Sequence, residues 1–215
     1  MKRPAAKRSV SILSEVADYY SAKLAEHGET ALGVDWNSCE SQFLRFEQLA
    51  KIIQQPRDFS VNDLGCGYGA FLDYLGSRYS EFTYRGCDVS TDMIIAARAR
   101  YEGTAHANFA VTSEPPEPAD YGVASGIFNV RLDRCDVEWR EYLEVTLDIL
   151  DRTSHRGFAF NCLTAYSDPD RIRDYLYYAD PCILFDLCKR RYSRHIALLH
   201  DYGLYEFTIL VRKNP

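Results

Sequence analysis

The stretch VNDLGCGYGAF at residues 61–71 constrains the fold more than any other part of the chain. Gly65, Gly67 and Gly69 follow a short apolar run and precede a sequence of helical character, so a strand, a tight turn and a helix N-terminus come in succession. Sheets built this way hold nucleotide-like ligands at the carboxyl ends of their strands. Gly65, Gly67 and Ala70 also satisfy the GxGxxA spacing of dinucleotide sites, so the loop alone leaves the ligand open.

The flanking sequence carries the matching pattern. From residue 59, the short apolar runs FSVNDL, FTYRGCD, ANFAVT, YGVASGIF and GFAFNCL alternate with helix-like stretches at 70–79, 91–101 and 136–150, the form of a parallel sheet wrapped by helices. Ahead of them, Ile12, Val16, Tyr19, Tyr20 and Leu24, and then Phe43, Phe46, Leu49, Ala50 and Ile53, recur at helical spacing. This predicts two amphipathic helices over 11–26 and 38–54, joined by the loop HGETALGVDWN, with Ser38 as N-cap of the second. Further helices are expected at 169–178 and 182–191. In RHIALLHDYGLYEFTILVRK, two strand-like runs are separated by little more than Tyr202 and Gly203, too short for a parallel crossover, so the last strands should form an antiparallel hairpin.

The length of 215 residues fits one well-buried domain, and the apolar and charged fractions of 47% and 26% are those of a soluble globular protein. No apolar run approaches the length of a membrane-spanning helix. The seven cysteines are scattered without a CxxC pair, which argues against a disulfide framework and a zinc knuckle and for a reducing, cytoplasmic setting. Net charge is −6 and the arginines are interspersed with carboxylates, so no stripe exists to neutralise a nucleic acid.

Asp63 narrows the ligand. Dinucleotide sites place an apolar residue two positions before the first glycine, where an acid would repel a diphosphate; an acid suits a ligand carrying an ammonium group and a sulfonium charge. Asp88 falls where a carboxylate reaches ribose hydroxyls, about 20 residues beyond the glycines. Together NDLGCGYGAF, YRGCDVSTDMIIAARARY and the terminal hairpin resemble the class I S-adenosylmethionine (SAM)-dependent methyltransferases, closely over 59–101 and in architecture from there to 213.

The resemblance implies an α/β fold with a mostly parallel seven-stranded sheet, an antiparallel C-terminal strand, helices on both faces and two N-terminal lid helices. The expected organisation is a disordered basic lead-in over 1–10, a helical lid over 11–57 and a SAM-binding core over 58–215 with an acceptor-pocket insert around 161–192. It also implies that Gly65 and Gly67 approach the methionine half of SAM, that Asp63 sits near its amino group, that Asp88 takes the ribose, and that Val89 and Met93 flank adenine. Many relatives carry an acid beside adenine after the third strand; FAVTSEPP leaves Thr112 and Ser113 for that place. Ser125 joins the cofactor set. Arg45 has no carboxylate three or four residues away in its own helix, and in related enzymes an arginine ahead of the sheet binds the SAM carboxylate, so Arg45 is the candidate, with an ion pair to another element as the alternative. Gln42 shares the apolar face of that helix.

For catalysis the candidates are His200, at the turn of the terminal hairpin, as base or orienting group, with Asn129 and Tyr166 as acceptor contacts. SGIFNV replaces the Asn-Pro-Pro-Tyr or Asp-Pro-Pro-Tyr pattern of enzymes that methylate base amino groups. The expected activity is methyl transfer to a small, soluble, polar acceptor on oxygen or nitrogen, with S-adenosylhomocysteine as product, by a monomer or homodimer that binds neither nucleic acid nor membrane. Two alternatives stand beside it: a SAM-binding regulatory or scaffold protein without turnover, and a nicotinamide-dependent oxidoreductase.

Overall fold

In the computed structural model, residues 5–213 are described, with side chains from Ile12 onward. Two helices, α1 (Ala5–His27) and α2 (Cys39–Ala50), precede the sheet. Strand β1 (Phe59–Leu64) opens an alternating series: α3 (Ala70–Gly76), β2 (Phe82–Asp88), α4 (Thr91–Arg100), β3 (Ala107–Val111), β4 (Ala119–Ala124), α5 (Asp136–Arg152) and β5 (Ser154–Thr164). A two-residue strand β6 (Tyr178–Ala179), α6 (Pro181–Arg191), β7 (His195–Leu199) and β8 (Glu206–Arg212) complete the chain. The strand order is β3-β2-β1-β4-β5-β8-β7, with β6 joined to β5. Strands β1 to β5 are parallel; β8 runs antiparallel between β5 and β7 and forms the expected hairpin with β7.

The central strands are buried along nearly their whole length because helices cover both faces. On one face Phe46 of α2, Phe71 and Leu75 of α3 and Ile94 of α4 pack onto Val61, Tyr84 and Leu210. On the other, Leu143, Leu147 and Leu150 of α5, spaced four and three residues apart as a helical stripe requires, pack with Leu184 of α6 onto Phe158, Phe160 and Ile209. Helix α1 is anchored separately, by Ile12 and Val16 against Trp139. Ser38 caps α2 in a reciprocal capping box with Ser41, so the predicted start of that helix holds.

Three local expectations change. Helix α1 begins at Ala5, so residues 5–10, expected in a disordered lead-in, are its first turns, and residues 1–4 lie outside the described residues. Residues 169–178 are not a helix. After a single 3-10 turn at Pro169–Arg171 and a second turn closed by Leu176 N–H donating to Arg173 O, the backbone pairs with residues 129–132: Arg131 and Leu132 N–H donate to Tyr175 O and Tyr177 N–H donates to Asn129 O. Strand β6, paired with β5, brings the sheet to eight strands, one more than expected.

Candidate functional site

The turn after β1 is the structural centre of the site. Gly65 and Gly67 have φ of +78° and +55°, in the left-handed region where a Cβ is strained, and a Cβ on Gly65 would also overlap Ile127. The Gly65 and Cys66 N–H groups both donate to Cys87 O, at 2.7 and 3.1 Å, tying the loop to the end of β2. Gly67 N–H donates to Asp88 Oδ2 at 2.9 Å, and Ser90 N–H to Asp88 Oδ1 at 2.9 Å. Asp88 is therefore aimed by two backbone donors, while Ser90 caps α4 by accepting from Met93 N–H. Burial pushes the Asp88 carboxyl above its ordinary pKa, and these donors pull against that rise.

Asp63 lies one strand residue before the turn and is buried. Its Oδ2 accepts from the Tyr84 hydroxyl at 2.6 Å. Burial is the dominant influence and raises its pKa to about 7, the Tyr84 hydrogen bond opposing it. A buried carboxylate whose pKa is raised toward neutrality, with no cation beside it among the described residues, suits a cationic ligand that would stabilise the ionised form.

Asp63, Gly65, Gly67, Asp88, Val89, Met93, Thr112, Ser113 and Ser125 all line one cleft of about 1080 Å³, its open mouth included. It lies at the carboxyl ends of the parallel strands, the place where such sheets bind ligands. The Ser125 Oγ is buried and has no hydrogen-bond partner among the described residues. The cleft is closed on its far side by both N-terminal helices: Leu13, Val16 and Tyr20 of α1 and Gln42 and Phe46 of α2 line it, with Val34 and Trp36 from the loop between them. Gln42 meets the Tyr68 hydroxyl there. The adjacent tyrosines separate: Tyr20 faces the cleft, whereas the Tyr19 hydroxyl donates to Asp35 Oδ2 at 2.7 Å, beside an Asp35–Lys23 ion pair at 3.0 Å.

Arg45 is placed elsewhere. Its Nε donates to both Glu206 oxygens at 2.8 and 2.9 Å, its Nη2 to Oε1 at 2.6 Å and its Nη1 to Ser41 O at 2.7 Å, and it does not line the cleft. The guanidinium is thus spent on another element, the alternative foreseen for it. His200, Asn129 and Tyr166 are not brought to the cleft either. The Asn129 Oδ1 accepts from Leu163 N–H at 3.2 Å, Tyr166 is 67% exposed, and the exposed His200 ring packs 6.0 Å from those of Tyr166 and Phe207. For His200 the reason is topological: β7 ends on the same edge as β4, but β5 and β8 lie between them. Nor do residues of the 161–192 segment line the cleft.

Trp36, Ile127 and Tyr142 also line the wall and carry no motif. The usable signal was Trp36 itself, a large aromatic in an otherwise polar and glycine-bearing loop between two helices.

The residues present fit SAM. Two glycines leave backbone room, two carboxylates flank the loop within one cleft, and a buried hydroxyl lacks a partner among the described residues. Sequence comparison agrees. A family model described as a methyltransferase domain matches residues 61–151. Rv1506c of Mycobacterium tuberculosis (strain ATCC 25618 / H37Rv), provisionally named a methyltransferase, is 61% identical over 163 residues, covering 76% of this chain and 98% of that protein. A trans-aconitate 2-methyltransferase of Rhizobium leguminosarum bv. trifolii is 34% identical over 107 residues, 45% of this chain and 41% of that enzyme. Among solved structures, the DhpI–SAH complex superposes with a TM-score of 0.63 at 16% identity, covering 95% of this chain and 98% of that one, a likeness of fold. With 61% identity to Rv1506c across most of both chains, the methyltransferase domain matched over 61–151 and the likeness of fold, the chain belongs to the class I SAM-dependent methyltransferases.

Proposed function

We propose that this protein transfers a methyl group from SAM to an oxygen or nitrogen of a small molecule that enters the cleft between the glycine turn and the two N-terminal helices. The observation that carries the reading is the sharing of one cleft by the cofactor-type residues and by a separate wall of Trp36, Tyr20, Leu13 and Ile127. Bound there, SAM supplies an electrophilic methyl group on a sulfonium sulfur.

The roles of the chain's own residues follow from their chemistry. Gly65 and Gly67 leave space for the methionine half, and Asp63 offers its carboxylate to the ammonium group. Asp88, already oriented by Gly67 and Ser90 N–H, keeps free lone pairs for ribose hydroxyls. Val89 and Met93 offer apolar surface to adenine, with Thr112 and Ser113 beside it. Ser125 Oγ gains in a bound ligand the partner it lacks. Helices α1 and α2 exclude water and orient the acceptor, and orientation in a dry pocket can supply much of the rate of a displacement at carbon. The nicotinamide alternative is disfavoured by the buried Asp63 where a diphosphate would lie.

The test is to incubate the purified protein with methyl-labelled SAM and a small-molecule extract. Transfer of label to a low-molecular-weight product supports the reading; SAM binding without any transfer would leave the alternative, a SAM-binding protein that does not turn over.

A further inference from the structure

Trp36 is held more firmly than a loop residue needs to be. The Arg45 guanidinium lies over its ring, 3.9 Å from the centroid, and a Cβ on Gly126 would overlap the far edge of the indole. Both supports are themselves fixed. Arg45 is neutralised by Glu206; the other Glu206 oxygen accepts from Asn161 Nδ2 at 2.6 Å, and Asn161 Oδ1 accepts from Gly126 N–H at 2.8 Å. All of Arg45, Asn161 and Glu206 are buried. The ring of contacts runs from Trp36 through Arg45, Glu206 and Asn161 to Gly126 and back to Trp36, and it joins the N-terminal loop to the segment after β4 that carries Ser125 and Ile127.

Two consequences bear on the acceptor. The wall next to Ser125 and Ile127 is an indole backed by a cation that is held away from the cleft, since each of its three nitrogens donates to Glu206 or Ser41. The remaining wall carries apolar, phenolic and neutral polar side chains, Gln42 and Thr146 among the last, and among the described residues that line the cleft the charged ones are Asp63 and Asp88, both acids. With Asp63 and Asp88 taken by the cofactor, a carboxylate or phosphate brought here would lose its hydration against an indole and uncharged side chains, with no described cation in the wall to offset it.

Resting on the proposed methyl transfer, we infer that the acceptor is an uncharged molecule that offers a hydroxyl or neutral amine flanked by an apolar ring face, and that Trp36 is the residue that selects it. The acceptor atom gains the methyl, the electrons of the broken carbon–sulfur bond stay on sulfur, and the acceptor's proton goes to water. Carboxylate acceptors such as the one named for the trans-aconitate relatives fall outside this class.

The experiment divides a small-molecule extract on an anion exchanger and offers the retained and unretained fractions, and trans-aconitate separately, to wild-type protein with methyl-labelled SAM. Label from the unretained fraction alone is the expected result. Label on trans-aconitate or from the retained fraction overturns the inference while leaving methyl transfer intact. No label from any source, with SAM bound in a calorimeter, removes methyl transfer and the inference together. Trp36→Ala should lower labelling at limiting acceptor about tenfold or more and leave SAM affinity within about twofold, the pattern of lost acceptor binding. Trp36→Phe, which keeps a ring, should fall between and serves if the alanine variant does not fold. Unchanged labelling in a folded variant, or a loss of SAM affinity instead, overturns the assignment of Trp36.

Discussion

Arg45 and Glu206, 161 positions apart in sequence, meet in a buried forked pair in which Nε and Nη2 both reach the carboxylate. The geometry couples α2 to the first residue of the last strand. An arginine ahead of the sheet would otherwise be the natural anchor for the cofactor's carboxylate; here its charge holds the fold.

Breaking that pair leaves a buried charge without a partner. Arg45→Ala and Glu206→Ala should each lower stability by about 3–5 kcal/mol in urea unfolding, and the joint replacement Arg45→Met with Glu206→Leu should recover most of it. SAM affinity of the folded protein should change little. A large loss of SAM affinity in a well-folded Arg45 variant would return the guanidinium to the cofactor site.

Asp63 should make cofactor binding depend on pH. Its carboxyl is raised from 3.8 to about 7, so below that pH it is neutral and above it ionised. Ionisation favours a cationic ligand, so SAM affinity should rise as pH increases from 6 to 8, and Asp63→Asn should bind weakly without that rise. Stability of the free protein moves the other way: with the folded pKa above the unfolded one, the contribution of this group is full below about 4 and is lost as pH rises through 7. Calorimetry and thermal melts across this range check both signs.

Asp88→Ala should weaken SAM binding by about 1–3 kcal/mol through lost charge-assisted hydrogen bonds. The same variant leaves Gly67 N–H and Ser90 N–H without their acceptor, so Asp88→Asn, which keeps an acceptor oxygen, separates loop support from ribose binding.

Gly65→Ala places a methyl group at φ +78° and against Ile127. It should abolish measurable SAM binding and destabilise the fold by about 1–3 kcal/mol. Joint Ile127→Ala should relieve the overlap but not the backbone strain, so binding should recover only partly.

His200→Ala should leave turnover and SAM affinity near wild type, because the ring is exposed and lies outside the cleft. A fall in rate of about 10²-fold with SAM binding intact is the signature of a lost general base and would place the acceptor near the hairpin instead.

The glycine turn, the two carboxylates and the alternation of strands and helices were legible in the sequence because each is a local pattern: spacing within one loop, or one period along one element. The terminal hairpin was legible for the same reason, since a connection of so few residues excludes a crossover. The partner of Arg45 was not, because Glu206 reaches it only after β8 has entered the sheet beside β5. Nor was the exclusion of His200, which depends on two strands standing between β7 and β4. The non-helical course of residues 172–178 goes with backbone bonds to residues 129–132, which no local propensity encodes. Residue chemistry and short-range spacing thus determined the cofactor end of the cleft. Its other end, where Trp36 is clamped between an arginine of α2 and a glycine after β4, was decided by which distant segments the sheet order brings into contact.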